Sequence, residues 1–333
     1  MIRTALLSRW HVHANDYARQ AKEHPHVEIV RVWDDDETRG RKWADELGVP
    51  FESSLATLLQ DDTIDAVIVD TPTQLHKDVI IAAAKHGKHI FSEKVLAFTV
   101  ADCEEIFSTV DENRVKLMLS LPRLTDPYYL YAQKAVDDQL LGKVNTIRCR
   151  LSHNGAVSTK ENPNGWLPAT FFDPVSCGGG ALIDLGAHPI YLINRLAGQP
   201  KVVNATLSGI LDLPVDDNSV VTVQYESGVI GIMEAGFSSG SSPFLLELYG
   251  TKGTLLIEDE QIRIRSEATG PTEWVIPNDV PDRIASPFAQ WVKWIEEGEE
   301  PTITRQDILH LTLINEAART SSETEQAVVI HQP

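Results

Sequence analysis

The chain has 333 residues, 42% hydrophobic and 23% charged, an ordinary globular composition that excludes a disordered chain, a collagen-like fibre and a disulfide scaffold. At roughly 150 residues per domain, that length fits two domains, each large enough to bury a core without staples. The 29 Lys+Arg against 48 Asp+Glu leave a net charge of −19, a surface that repels phosphate backbones and anionic lipid heads, so neither nucleic acid nor membrane is expected as a partner.

Over the first ~120 residues short apolar runs alternate with amphipathic segments, the signature of βαβ units and a parallel sheet. Strands are predicted at Arg3–Leu7, Val27–Trp33, Ala66–Asp70, Lys88–Ser92 and Lys116–Leu121. Val67-Ile68-Val69 reads as a strand covered on both faces. Helices Glu37–Leu47 and Leu75–His86 stop at Gly48 and Gly87, each placed where a helix end needs φ > 0.

After Leu121-Pro122 the pattern changes. A helix over Tyr128–Leu141, closed by Gly142, leads into a long strand, Val144–His153. An irregular stretch with Asn162-Pro163-Asn164-Gly165-Trp166 precedes a glycine-rich turn and a helix from about Ala181 to Leu196. From Lys201 to about Ile276 strand follows strand with period-two alternation, turning at Glu226-Ser227-Gly228 and Gly250-Thr251-Lys252-Gly253. Helices near Phe288–Glu297 and Arg305–Ser321 close the chain; Trp291 and Trp294 are expected in a core or interface, and Ile308, Leu311 and Leu313-Ile314 in a buried stripe.

The expected fold class is therefore α/β: a Rossmann-type doubly wound parallel sheet over residues 1–121, then an α+β domain with a large, mostly antiparallel sheet over 122–333. No apolar run approaches the ~20 residues that span a bilayer. Met1-Ile2-Arg3-Thr4 leads into no signal-peptide core. Cys103, Cys149 and Cys177 are odd in number and lack C-x-x-C spacing, which argues against disulfides or a zinc ribbon. A cytoplasmic protein with reduced thiols is expected.

In a doubly wound sheet, ligands bind at the carboxyl ends of the strands. The first strand runs into Ser8-Arg9-Trp10-His11-Val12-His13, the second into Asp34-Asp35-Asp36. Ala66–Asp70 runs into Thr71-Pro72-Thr73-Gln74-Leu75-His76, and Lys88–Ser92 into Glu93-Lys94. Asp34 stands where a dinucleotide fold places the acid that accepts from the adenosine ribose. No Arg or Lys follows it immediately, so a 2′-phosphate would meet three carboxylates, which favours NAD over NADP; an acidic surface turn looks the same in sequence. Lys94 can hydrogen-bond a substrate oxygen from a strand end, although lysines also commonly start surface loops. Asp184 and His188 in Gly178-Gly179-Gly180-Ala181-Leu182-Ile183-Asp184-Leu185-Gly186-Ala187-His188 share one helix face, with glycines that let a ligand approach. Such a pair takes a proton from a hydroxyl, the acid orienting the imidazole; a dipole-complementing Asp and a core His give the same spacing.

Together these residues resemble the glucose–fructose oxidoreductase / inositol dehydrogenase (Gfo/Idh/MocA) family. Glu93-Lys94, Thr71-Pro72-x-x-x-His76, Gly-Gly-Gly-x-x-x-Asp184-x-Gly186-x-His188 and the closing helix occur in the family's order across nearly the whole chain. The resemblance implies an NAD(P)-dependent oxidoreductase moving hydride between nicotinamide and a hydroxyl carbon of a sugar, polyol or inositol. It carries the catalytic roles onto Lys94, Asp184 and His188, and cofactor contacts onto Ser8, Asp34, Thr71, Pro72, His76 and Glu93. His188 is expected to accept the hydroxyl proton and Lys94 to stabilise the developing oxyanion. No metal is implied, and assembly through the open face of the second-domain sheet gives a homodimer or homotetramer.

Two departures stand at the cofactor. Ser8, Trp10 and His13 occupy the places of a G-x-G-x-x-G turn, so the expectation is a rebuilt turn in which Arg9, Trp10 and His11 meet the cofactor and Arg9, His11 or His13 hold phosphate by side chain. Val95 replaces the proline of the family's Glu-Lys-Pro, and if that loop uses a cis bond, the geometry after Lys94 is expected to differ here. Arg123, His153 and Trp166 are the expected substrate contacts, from a wider pool with Tyr128, Asn154 and Asp173. The same departures support an alternative, a sugar- or dinucleotide-binding protein with little turnover. His11-Val12-His13 also resembles the metal pair of amidohydrolase barrels, a fold that needs eight β/α repeats, whereas the alternation here stops near residue 121.

Overall fold

The computed structural model describes residues 1–163 and 165–330; Asn164, in the irregular stretch singled out above, and residues 331–333 lie outside the described residues. They form two compact units: Met1–Leu121 with Ala285–Thr304, and Pro122–Ile284 with the described residues from Arg305 onward. Residues 285–304, expected in the second domain, join the first unit. The cause is aromatic packing: Phe288 and Trp291 on the helix Pro287–Glu297 lie 5.4 and 5.7 Å from the Phe91 ring, and Trp291 Nε1 donates to the Lys116 carbonyl.

The first unit runs β1 (Ile2–Leu7), α1 (Ala14–Glu23), β2 (Val27–Trp33), α2 (Glu37–Leu47), α3 (Leu55–Leu59), β3 (Ala66–Val69), α4 (Thr73–Lys85), β4 (His89–Ser92), α5 (Val100–Glu112) and β5 (Leu117–Leu119). Its strands form one parallel sheet in the order β2-β1-β3-β4-β5. Phe51 makes a parallel bridge to Val32 beyond β2. With that single-residue strand counted, the order is the 3-2-1-4-5-6 of dinucleotide-binding folds, and it reverses between β1 and β3. Every residue of β3 is buried, as its unbroken apolar run requires. Gly48 and Gly87 have φ of 71° and 69°, and each follows a helix it terminates. Register pairs Leu7 with Trp33 and Val69, and Val69 with Ser92, so the residues after them start level along one sheet edge.

The second unit runs α6 (Pro127–Asp137), β6 (Val144–Ser152), α7 (Pro174–Cys177), α8 (Ala181–Asp184), α9 (Ala187–Ala197), β7 (Pro200–Ser208), β8 (Asn218–Tyr225), β9 (Ile230–Gly236), β10 (Leu245–Gly250), β11 (Gly253–Glu258), β12 (Gln261–Ser266) and β13 (Gly270–Val275). The helix Arg305–Thr324 and β14 (Val328–Val329) follow. The nine-stranded sheet has the order β13-β12-β11-β10-β6-β9-β8-β7-β14, antiparallel throughout except for the parallel pair β6–β9. Val221, Val223 and Tyr225 of β8 are buried on one face, while Val220, Ile230 and Tyr249 on the other are 36–46% exposed. The single helix expected over 181–196 is broken at Leu185-Gly186, where the Gly186 amide reaches the Ala181 carbonyl at 2.9 Å and a Cβ would sit 2.4 Å from the Leu182 carbonyl oxygen. Two units with these sheets are not an eight-fold barrel, which removes the amidohydrolase reading. No helix among the described residues is long and apolar enough to cross a membrane.

Candidate active site

In the first unit, the rebuilt turn after β1 explains how glycine positions are filled by larger residues. Ser8 adopts φ 74°, the left-handed conformation a glycine would take. Its hydroxyl donates to Asp35 at 2.6 Å and accepts from the Trp10 amide at 3.2 Å. The Arg9 amide donates to Asp34 (2.8 Å), the His11 amide to the Asp70 carbonyl (3.2 Å) and the His13 amide to His11 Nδ1 (3.3 Å). Amides that cradle pyrophosphate in a glycine turn are therefore bonded to the chain's own acceptors.

Asp34, expected at the adenosine ribose, is bonded within the chain. Its side chain has no exposed surface and takes bonds from the Arg9 and Asp36 amides and from Arg39 Nε at 3.0 Å and Nη2. No further lone pair faces outward for a ribose. Arg39, in the first turns of α2, is the cation that the sequence reading overlooked, and it also pairs with Asp35 at 2.9 Å. Arg9 is likewise committed: its guanidinium meets Glu46 at 2.7 Å and lies 5.9 Å from the Trp43 ring centroid. His11 is 7% exposed with Nε2 4.0 Å from Glu93, and the exposed His13 pairs with Asp16.

Beyond β3 and β4, Glu93 and Lys94 are 3% and 6% exposed. The Tyr17 hydroxyl donates to Glu93 and lies 2.8 Å from the Ser120 hydroxyl. Burial raises the Glu93 pKa, opposed by the charges of Lys94 and His13 and by the Tyr17 bond. The Lys94–Val95 peptide is cis, so the expectation of a different geometry in the absence of proline is not met. His76, expected as a cofactor contact, is 1% exposed and spans the Val95 carbonyl (2.8 Å) and the Thr71 carbonyl (3.1 Å). It braces the segment after Lys94 against Pro72 and the start of α4. Burial lowers its pKa against the pull of those carbonyls.

The residues at this edge nonetheless fit a dinucleotide. Among the described residues, both carboxylate oxygens of Asp70 and the Thr71 hydroxyl are buried without a hydrogen-bond partner. They stand at the end of β3, beside the reversal of strand order, where ribose and phosphate groups of such a ligand run. Burial, then the Glu93 charge, raises the Asp70 pKa well above its usual range, which favours the neutral carboxyl beside an anionic group.

In the second unit the glycine run serves the chain itself. A Cβ on Gly180 would lie 2.0 Å from the Asp216 carbonyl oxygen, and the Asp216 carboxylate accepts from the Gly180 and Leu182 amides, both at 2.9 Å. The close approach read in sequence as room for a ligand is thus the docking of residue 216. His188, partly buried, has Tyr191 on its Nδ1 at 2.7 Å, a partner three residues on that an aromatic in a helix does not announce. Asp184 lies close to His153 and favours its charged form, while burial, the larger effect, lowers its pKa. His153 accepts from the Gly155 amide at 3.0 Å, stacks on Phe237 and lies 4.6 Å from the half-exposed Trp166 ring. Trp166 Nε1 donates to Asn154 at 3.3 Å. Of the substrate pool, His153, Asn154 and Trp166 come together near Asp184. Arg123 instead donates to the buried Tyr128 hydroxyl at 2.9 Å and lies over Phe244, and Asp173 caps α7.

The family model for the oxidoreductase family with an NAD-binding Rossmann fold matches residues 11–121, beginning within the altered turn. That for the GFO/IDH/MocA C-terminal domain matches residues 129–256. The chain is 27% identical over 324 residues to D-xylose 1-dehydrogenase (NADP(+)) 2 of Haloferax volcanii, covering 93% of this chain and 94% of that one. It is 28% identical to scyllo-inositol 2-dehydrogenase (NAD(+)) of Bacillus subtilis over 85% of this chain and 83% of that protein. Among solved structures, levoglucosan dehydrogenase in complex with NADH superposes with a TM-score of 0.83 at 21% identity over the full length of both chains. With matches to both its amino- and carboxyl-terminal domains and the motif residues in the family's order, the chain belongs to the Gfo/Idh/MocA family of oxidoreductases.

Proposed function

We propose that this chain is an NAD(P)-dependent dehydrogenase acting on a hydroxyl carbon of a sugar, polyol or inositol, with NAD as its cofactor. The observation that carries the reading is a lysine only 6% exposed, directly behind a buried glutamate at the carboxyl edge of a Rossmann sheet. A buried amine there is suited to holding an oxygen on which charge develops. Bound nicotinamide supplies the hydride acceptor or donor. Lys94 and His188 hold the substrate oxygen and its proton, and Asp184, beside His153, sets the polarity around them. His153 and Trp166 offer an aromatic surface to the carbon face of a sugar ring, with Asn154 already oriented by the indole. Relatives named for xylose and scyllo-inositol support the substrate class. Their being dehydrogenases gives the binding-only alternative no support.

Thr71 and Asp70 would hold the cofactor's ribose and phosphate groups, with Glu93 close by. At the adenosine end Asp34 is sealed, which leaves Asp35, about a quarter exposed, for the ribose hydroxyls. Arg39 is already shared between Asp34 and Asp35, so a 2′-phosphate would compete with two carboxylates for one guanidinium; this supports NAD. Val220, Ile230 and Tyr249, exposed on one face of the sheet, support self-association through that open face, as a homodimer or homotetramer. The test is NADH formation by purified protein over a panel of aldoses, polyols and inositols, with Lys94→Ala as control. Turnover with at least one substrate, lost at least 100-fold in the variant, is expected. No turnover across the panel, or an unaffected variant, overturns the reading.

A further inference from the structure

The hydrogen-bond bookkeeping around Tyr191 fixes something the residue pattern leaves open, namely which ring nitrogen of His188 carries the proton. Tyr191 is fully buried on α9, one turn beyond His188. Among the described residues its oxygen has two hydrogen-bonding neighbours: the Arg123 backbone N–H at 3.4 Å and His188 Nδ1 at 2.7 Å. The Arg123 amide can only donate. The tyrosine's own O–H must then find an acceptor, because a buried hydroxyl proton left unpaired costs about 1–3 kcal/mol. Nδ1 is the acceptor within reach. A neutral imidazole that accepts at Nδ1 carries its proton on Nε2.

Arg123 is itself held in place, its guanidinium donating to Tyr128 at 2.9 Å and lying 4.8 Å from the Phe244 ring centroid, so the amide facing Tyr191 is not free to turn away. Burial also keeps the Tyr191 phenol protonated. The alternative tautomer, with Nδ1–H pointing at Tyr191, would aim two donors at one phenol oxygen and strand its hydrogen inside the core.

We propose that Tyr191 is a positioning residue that holds neutral His188 as the Nε2–H tautomer, so that His188 meets the substrate oxygen as a hydrogen-bond donor and not as the base. This deepens the dehydrogenase reading and rests on it. In the alcohol-oxidising direction the carbinol C–H leaves as hydride to bound nicotinamide. The O–H bond breaks, its electron pair forms the carbonyl π bond, and the proton passes to the Lys94 amine, which has first released its own proton to solvent. His188 keeps its proton throughout and stabilises the charge that gathers on oxygen. This reverses the role read from sequence, in which the imidazole takes the hydroxyl proton.

Nitrogen-15 NMR of protein labelled in histidine distinguishes bare from protonated ring nitrogens and needs no turnover. His188, assigned by comparison with His188→Gln, should show a bare Nδ1 and a protonated Nε2 in its neutral form, and Tyr191→Phe should abolish that preference. A proton on Nδ1 in the wild type, or the same tautomer in Tyr191→Phe, overturns the proposal. If Tyr191→Phe does not fold, the wild-type spectrum alone decides. Kinetics give a second arm: glutamine can donate but cannot act as a base, so His188→Gln should retain kcat within about tenfold, whereas a loss of about 100-fold or more marks His188 as the base and overturns the proposal. A protein that forms no NADH with any sugar or polyol loses the dehydrogenase reading while the tautomer result still stands.

Discussion

Arg39 closes over Asp34. The guanidinium Nε donates to Asp34 Oδ2 at 3.0 Å and its Nη2 to Oδ1, leaving a carboxylate with no exposed surface, although it stands at the strand end where a ribose-binding acid belongs. Two further bonds, from the Arg9 amide and with the Ser8 hydroxyl, tie the same carboxylate to the turn after β1, and the Asp36 amide holds it within its own loop. This knot performs the task that glycines do elsewhere in such folds, fixing the turn in a left-handed conformation at Ser8.

Arg39→Ala is therefore expected to destabilise the protein by about 2 kcal/mol, because it leaves a buried carboxylate without its cation; the partial exposure of the arginine keeps the figure below that of a fully buried pair. Urea denaturation followed by circular dichroism measures it. Arg39→Lys cannot reproduce the forked contact to Asp34, Asp35 and Ser8 and should recover less than half of the loss. A variant as stable as the parent would show that the knot contributes nothing.

Asp35 shares Arg39 and keeps about a quarter of its side chain exposed, so cofactor choice should turn on it. Asp35→Ser removes one competing carboxylate and frees a guanidinium donor for a 2′-phosphate. The ratio of Kd for NADP to Kd for NAD is expected to fall about tenfold, the worth of one charge-assisted bond. Titration calorimetry with each dinucleotide gives both constants. An unchanged ratio would place the discrimination elsewhere.

The parts of this architecture written as local pattern are legible in the sequence. Gly48 and Gly87 end their helices with positive φ, and the apolar run Val67-Ile68-Val69 is a strand buried on both faces. What the sequence does not carry is the address of a contact. Arg39 is five residues past Asp34 on a different element, and only the fold turns it back. Tyr191 has the right spacing to reach His188, but an aromatic in an apolar helix reads as core, and it is buried as core would be. The glycines of 178–180 announce a close approach without saying to what, and the partner proves to be residue 216. Trp291 reads as a buried residue, correctly, yet nothing local says that it packs against Phe91, 200 residues earlier in the chain.

Gly180→Ala tests that glycine reading. The added methyl would sit 2.0 Å from a backbone oxygen that cannot rotate away, so the segment before α8 must shift and lose the Asp216 bonds to the Gly180 and Leu182 amides. A cost of about 1–3 kcal/mol is expected, read as a fall in Tm of several degrees. Because the same segment leads into Asp184 and His188, kcat should fall by more than the dinucleotide Kd changes. A full-stability variant would mean that residue 216 yields easily.

Asp70 is a cost to the folded state that a ligand would repay. Its carboxyl is buried without a partner among the described residues and has its pKa raised well above the ordinary aspartate value of 3.8, first by burial and then by Glu93. The sign of the pH effect follows from proton counts. Between 3.8 and the raised native value, the folded state binds more protons than the unfolded state, so stability falls as pH rises through that window. Asp70→Asn keeps the shape and removes the titration. The variant should be more stable than the parent at pH 7–8, with the gain shrinking as pH drops and vanishing below about pH 4, where the aspartate is protonated in both states. Thermal melts of both proteins across that range measure it. If the carboxyl is there to meet a dinucleotide, the same variant should gain less from added NAD than the parent does, so the two melting curves converge on ligand addition. A variant that gains stability equally at all pH values would mean that Asp70 titrates normally, and one that keeps the full ligand-induced shift would mean that its carboxyl does not meet the cofactor.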